Sequence, residues 1–221
     1  MSGAARREPG TRERAKAERR RRLRDAALAV FAEKGFEAAT TREIAERAGV
    51  GAATLFRYAQ EKRDLLLMIV NDDLAAINDE SFATLDPDAA LLDALLHLFT
   101  ARYTYWAANP ALAREAIHVT VLARAERDTF ETQRYRHRRN HLLVTLVDLI
   151  ARDQARGRVR ADYDPAFLAE YFLDIYIAQR RRWLADATPV ASAGIAELRH
   201  MLTLALEGAG TPAAGSVGAS A

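Results

Sequence analysis

The sequence predicts an all-α fold of about nine helices, and three observations carry that prediction. Apolar residues recur three and four positions apart through most of the 221 residues, which is the spacing of one helix face. Gly and Pro fall at the ends of several of these stretches, where helices start and stop. Strand-like alternation is convincing nowhere, and no internal repeat is found.

Residues 1–18 are polar, without apolar periodicity, and read as a mobile basic arm. The first helix starts near Arg19, carries Leu23, Ala26, Ala27, Val30 and Phe31 on one face, and is closed by Lys34 and Gly35. Thr40 and Glu43 have the capping-box spacing and open a second helix with Ile44, Ala45 and Ala48 inside. Gly49 ends it. A third helix is expected from Ala52 to Ala59 with Gly51 as its N-cap. A fourth follows Lys62 and carries Leu65, Leu66, Ile69, Val70 and Leu74. Further helices are expected over 88–108, stopping at Asn109-Pro110, then over 110–125 and 127–156. The next starts at Pro165 and reaches 186, and the last covers 192–207. The Gly-rich end, 208–221, reads as a disordered tail.

Composition narrows the class. Half of the chain is hydrophobic, so a folded core is expected rather than disorder. Cysteine is absent, which excludes disulfides and thiolate metal sites and suits a reducing, cytoplasmic compartment. No apolar run approaches the ~18–20 residues of a membrane span. The basic N-terminus is not followed by an apolar segment, so no secretion signal is expected. The net charge of +2 conceals an asymmetry. Residues 1–63 hold 16 Lys or Arg against 9 Asp or Glu, whereas residues 64–221 hold 16 against 21. A basic module joined to an acidic body points one end of the molecule at a polyanion.

The third helix sharpens that reading. With Leu55 inward, Arg57 and Ala53 lie nearly opposite, Thr54 and Phe56 fall on the flanks, and Ala59 stays inside. A face meant only for water is normally rich in Glu and Lys. This one is small, hydroxylic, aromatic and cationic, which suits the major groove: Ala or Phe against a thymine methyl, Thr for a base or phosphate, Arg for guanine. Arg42, in the first turn of the second helix, is placed for a base edge or a phosphate, and that helix N-terminus can itself receive a phosphate. Lys62 is placed for another. Two short helices joined by a Gly-containing turn and braced by a preceding helix make a helix-turn-helix unit. On spacing alone, an ordinary helical hairpin remains open.

The segment RDAALAVFAEKGFEAATTREIAERAGVGAATLFRYAQEKRDLL resembles the DNA-binding segment of the TetR family of transcriptional regulators. The matching features are A-A-x-x-x-F-x-x-x-G-F at 26–36, T-x-x-x-I-A at 40–45, A-G-V at 48–50, T-L-F at 54–56, Tyr58, and K-x-D-L-L from Lys62. The resemblance implies a DNA-binding domain over 19–63 whose third helix is the recognition helix, and a ligand-binding and dimerisation domain over 64–207. It makes Arg42, Ala53, Thr54, Phe56, Arg57, Tyr58 and Lys62 the DNA-contacting set, with Tyr58 and Lys62 as phosphate anchors. Phe56 stands where the family commonly has Tyr, Gly51 replaces a common Ser cap, and Ala59 replaces a common Phe. The arm carries Arg6, Arg7, Arg12, Arg14, Lys16 and Arg19 to Arg22. It either follows the DNA backbone or minor groove, or only steers association.

The resemblance also implies a body that binds a small effector and pairs two chains through its last two helices. Those helices carry apolar residues at suitable spacing: Phe167, Leu168, Tyr171, Phe172, Ile175 and Tyr176, then Ile195, Leu198, Leu202 and Leu206. Candidate effector contacts are Phe99, Tyr103, Trp106, His118, Leu122, Phe130, Phe172 and Tyr176, which favour an apolar or aromatic ligand. His137 and His141 are four apart, a metal-compatible spacing, but Arg134, Arg136, Arg138 and Arg139 beside them repel a cation. No metal site and no cofactor are expected. The expected function is a dimeric, ligand-responsive regulator, most simply a repressor, on a palindromic operator of double-stranded DNA. The alternatives are an all-helical enzyme or a ligand-binding protein without DNA. The sequence has no phosphate-binding Gly loop, no H-E-x-x-H and no Cys nucleophile. A membrane-surface role would need a basic amphipathic helix with bulkier apolar residues than the first helix has.

Overall fold

The computed structural model describes residues 10–125 and 128–209, without the side chains of 121–125 and 209. Among the described residues it contains nine helices and no strand: α1 (Thr11–Ala38), α2 (Thr41–Ala48), α3 (Ala52–Phe56), α4 (Lys62–Ala83), α5 (Leu91–Ala108), α6 (Pro110–Ala125), α7 (Phe130–Ala155), α8 (Pro165–Ala185) and α9 (Ala191–Ala209). No helix is long and apolar enough, among these residues, to cross a membrane. The chain divides into two compact units, Met1–Val70 and Asn71–Ala221, so the division falls inside α4, seven residues past the expected boundary at 63.

In the first unit, α1 corrects the expected arm. Residues 11–18 are helical, not a mobile coil, although every one of them is exposed. The segment lacks the apolar face that periodicity detects. It is built instead from Arg, Glu, Lys and Ala, which are strong helix formers. It is also continuous with the turn where Leu23 becomes buried. Glu18 and Arg21 pair at 2.7 Å one turn apart. The expectations for residues 1–9 and 210–221 lie outside the described residues, and α9 runs through 208–209, inside the expected tail. Gly35, at φ 77° and ψ 166°, breaks α1 in a conformation essentially open only to glycine.

The capping box of α2 is present: the Thr40 side chain accepts from the Glu43 amide, and the Glu43 carboxylate accepts from the Thr40 amide. Gly49 closes the helix in the left-handed region at φ 62°. α3 is shorter than expected. Its last residue is Phe56, because the Tyr58 amide bonds the Leu55 carbonyl three residues back at 2.8 Å and tightens the chain into a turn. The start of α4 is tied back by Asp64, whose carboxylate accepts from the Gln60 and Glu61 amides at 2.9 and 3.3 Å.

In the second unit the helix bounds follow the expected ones to within about three residues. The α5 N-terminus is capped from a distance: the buried Asp153 of α7 accepts from the Leu91 amide at 3.1 Å. Asp153 is balanced by Arg152 at 2.8 Å and Arg158 at 2.9 Å. Buried Glu131, in the first turn of α7, takes the Asn71 side-chain amide at 3.0 Å and Arg134 at 3.0 Å, so α4 and α7 are pinned by polar contacts. The core is aromatic. Phe99 stacks on Tyr176 at 4.4 Å, and Tyr103 meets Trp183 edge-on at 4.9 Å. Gly194 lets α9 approach this cluster, since a Cβ there would lie 2.7 Å from the Tyr103 ring.

Candidate nucleic-acid interface and effector cavity

The face of α3 forms because one side of a short helix is buried and the other is not. Leu55 is 1% exposed and Ala59 is buried with it, whereas Phe56 is 51% exposed and Ala53 and Arg57 are exposed too. Thr54 is half-buried on the flank. Arg57 has no ion pair among the described residues, so its guanidinium extends from the face without a competitor. Phe56 offers apolar ring surface and no hydroxyl.

The remaining predicted contacts are more constrained. Arg42 is well exposed, and its Nε donates to Glu46 at 2.9 Å across one turn. An exposed, solvent-screened pair of this kind contributes little to stability, so a phosphate or base can displace it. The Tyr58 hydroxyl donates to the Lys16 carbonyl at 3.3 Å. The Lys62 ammonium donates to the Glu37 carbonyl at 2.8 Å and lies 4.6 Å from the Phe36 ring centre. Both therefore have an internal bracing role that spacing did not show. The α2 capping box occupies the Thr40 and Glu43 amides, which narrows the anion site expected at that helix end.

Arg22 is the residue that sequence reasoning misplaced. It was grouped with the DNA-seeking arm. Its guanidinium instead donates to the carbonyls of Ala48 and Gly49, closing the turn that precedes α3. A stretch of four consecutive arginines gave no signal that one of them faces inward.

Among the described residues of the second unit, three concavities bear on the effector contacts. A groove of about 480 Å³ lies on α8 and α9, lined by Tyr163, Phe167, Tyr171, Met201 and Leu204 among others. A cleft of about 320 Å³ is lined by Asn71, Ala75, Phe130, Gln133, Arg134, His137 and Arg138. A cavity of about 60 Å³ is walled by Leu74, Leu142, Leu173, Tyr176 and Ile177, together with Asn78, Tyr135, Arg102, Arg138, Arg139 and Arg180.

The eight predicted effector residues separate accordingly. Tyr176 lines the small cavity and Phe130 the cleft. Phe99, Tyr103, Trp106 and Phe172 are fully packed core and line none of the three spaces; the Trp106 indole donates to the Tyr176 hydroxyl at 3.3 Å. His118 is exposed and lines none of them either. The Leu122 side chain lies outside the described residues. Sequence reasoning missed the arginines. Arg102 and Arg180, which no motif singles out, are buried. Burial pushes the Arg138 guanidinium down to about 10, so it stays cationic at neutral pH.

The expected interface stripes are also redistributed. Leu168, Phe172 and Tyr176 of α8, and Leu198 and Leu202 of α9, face the chain's own core. Phe167 and Tyr171 of α8 are left exposed, as is Leu204 of α9, which spacing did not single out.

Residues 23–69 match the family model described as bacterial regulatory proteins, tetR family. The chain is 26% identical over 181 residues to the HTH-type transcriptional repressor KstR of Mycobacterium tuberculosis, covering 80% of this chain and 77% of that protein. It is 27% identical over 180 residues to KstR of Mycolicibacterium smegmatis, covering 80% and 83%. Among solved structures it is similar to Thermus thermophilus FadR, a TetR-family transcriptional repressor in complex with lauroyl-CoA. That match has a TM-score of 0.69 and 24% identity over 90% of this chain and all of that one.

Proposed function

We propose that this chain, whose residues 23–69 match the tetR family model, is a dimeric repressor of the TetR family whose α3 reads the major groove of a palindromic operator. The observation that carries this reading is the one-sided burial of α3: Leu55 is sealed inside while Ala53, Phe56 and Arg57 are presented outward. Thr54 and Arg42 extend the same reading surface, and Tyr58 and Lys62 contact phosphates from the positions their internal bonds give them. The partner copy binds through α8 and α9, where Phe167, Tyr171 and Leu204 leave an apolar groove. Two-fold symmetry then sets two recognition helices about one DNA turn apart, ~34–36 Å. The two DNA-binding arrangements of the dimer differ in their affinity for a small organic effector held in the body, and that difference releases the operator. The cleft and cavity of the second unit are the effector site, with Phe130 and Tyr176 among its walls. Lauroyl-CoA, found on the FadR neighbour, makes an acylated amphiphile the first effector class to try. Catalysis has no part in this reading, and the protein works in the cytoplasm.

The test is an electrophoretic mobility shift on the DNA upstream of the chain's own coding region, with and without lauroyl-CoA. The expected result is a discrete complex, at nanomolar protein, that an amphiphile dissolves. Equal retention of unrelated DNA, with the same salt dependence, contradicts the reading.

A further inference from the structure

The arginines of the second unit differ in how their charge is balanced. Arg134 pairs with Asp72 and Glu131, Arg136 with Asp128, and Arg139 with Glu170. Arg102 and Arg180 have no carboxylate partner among the described residues. Arg102 is 4% exposed, and its guanidinium bonds two neutral acceptors, the Leu98 carbonyl and Asn78 Oδ1. Arg180 is 9% exposed and lies 5.3 Å over the Trp106 ring and 5.4 Å over the Tyr176 ring; its buried Nε finds no hydrogen-bond partner. Both line the 60 Å³ cavity, which no Asp or Glu lines.

Buried charges are ordinarily paired, because desolvation costs several kcal/mol per ion and only a nearby opposite charge offsets it. Here burial pushes the Arg102 guanidinium down from its ordinary value, and the like charge of Arg180 acts in the same direction. Arg102 and Arg180 therefore stand at the cavity with no carboxylate against either guanidinium among the described residues. The volume suggests what fits. The space has room for a small polar group on the scale of a carboxylate or one face of a phosphate, and is too small for a long acyl chain. Arg138 lines both this cavity and the adjoining 320 Å³ cleft, where Phe130 and Ala75 supply apolar surface.

We propose that the cavity bounded by Arg102, Arg138 and Arg180 binds a carboxylate or phosphate group of the effector, whose remaining part lies in the Phe130 cleft. This rests on the effector-responsive reading above and specifies the charge of the ligand and the residues that recognise it. The guanidinium groups donate to the anion in the charge-assisted, bidentate geometry that suits carboxylate and phosphate.

The test uses the full-length protein and four probes: sodium laurate, lauroyl-CoA, inorganic phosphate and the neutral methyl laurate. Thermal melting and tryptophan fluorescence are both read, the latter also in Trp183→Phe, because Arg180 lies over the Trp106 indole. The expected result is a melting shift with at least one anionic probe and none with methyl laurate at equal concentration. Laurate alone assigns the site to a carboxylate; lauroyl-CoA or phosphate without laurate assigns it to a phosphate. In Arg102→Met and Arg180→Met the anion affinity falls about thirtyfold, the effect of losing one buried charge pair. The ligand-free Arg180→Met variant melts no lower than the native protein, since a buried charge without a carboxylate partner is gone. If a variant does not fold, fluorescence of the native protein with laurate against methyl laurate decides alone. Equal response to the neutral ester, no response to any anion, or an undiminished response in both variants overturns the proposal. DNA release by methyl laurate in a parallel mobility shift leaves the regulator reading standing while this inference fails; absence of any DNA complex removes the regulator reading first.

Discussion

Arg22 of α1 donates from its guanidinium to the carbonyl of Gly49 at 2.9 Å, across 27 residues of chain. Gly49 is the left-handed residue that closes α2, and its Cβ position is already occupied by the Arg22 guanidinium, 2.5 Å away. The brace therefore fixes the turn that sets α3 against α2. Arg22→Ala should destabilise the domain by about 1.5–3 kcal/mol, the range for a hydrogen bond involving a charged group. Urea unfolding measures it. Unchanged stability together with a shallower salt dependence of DNA binding would instead make Arg22 a phosphate contact.

Arg57 is free to bond a base edge. Arg57→Ala should cost ~1–3 kcal/mol on the operator and relax base preference at one position of each half-site. Binding measured on a panel of single-substitution operators tests this. Equal loss on every operator would show that Arg57 touches only phosphate.

The residues preceding α1 include Arg6 and Arg7. Removing residues 1–9 leaves the described helix intact. If both arginines neutralise phosphates, the slope of log affinity against log salt should fall by about two per chain. An unchanged slope means that the segment acts only in steering.

Phe167 and Leu204 are 60% and 65% exposed on the α8–α9 groove. Phe167→Glu or Leu204→Glu should convert the dimer to a monomer in sedimentation experiments and weaken operator binding, because burying a carboxylate without a partner is costly. Dimers that persist in both variants place the interface elsewhere.

Gly194 sits against Tyr103 and Trp183, with no room for a Cβ. Gly194→Ala should lower stability by about 1–3 kcal/mol through overpacking, despite its better helix propensity. Thermal unfolding of the variant shows which effect wins.

The fold was legible because helix-breaking residues and apolar spacing agree. The Thr40–Glu43 box, Gly35, Gly49 and Pro165 each act where their chemistry places them. The face of α3 was legible for the same reason, since Leu55 alone fixes its orientation. What spacing could not show was which helix faces meet inside the body. α8 is apolar on two sides, so Phe167 and Phe172 read alike until one is seen exposed and the other buried. Arg102 and Arg180 drew no notice in the sequence, because a buried cation without a carboxylate partner has no sequence signature. Residues 11–18 failed differently: their helix has no apolar face to give a period.

The most direct measurement of the central claim is selection of bound sequences from a random duplex pool, run with the native protein and with Arg57→Ala. The account predicts an enriched inverted repeat whose half-sites are about one turn apart, and loss of preference at one symmetric pair of positions in the variant. Recovery of no common sequence, or of the same sequence with the same preferences by both proteins, would contradict it.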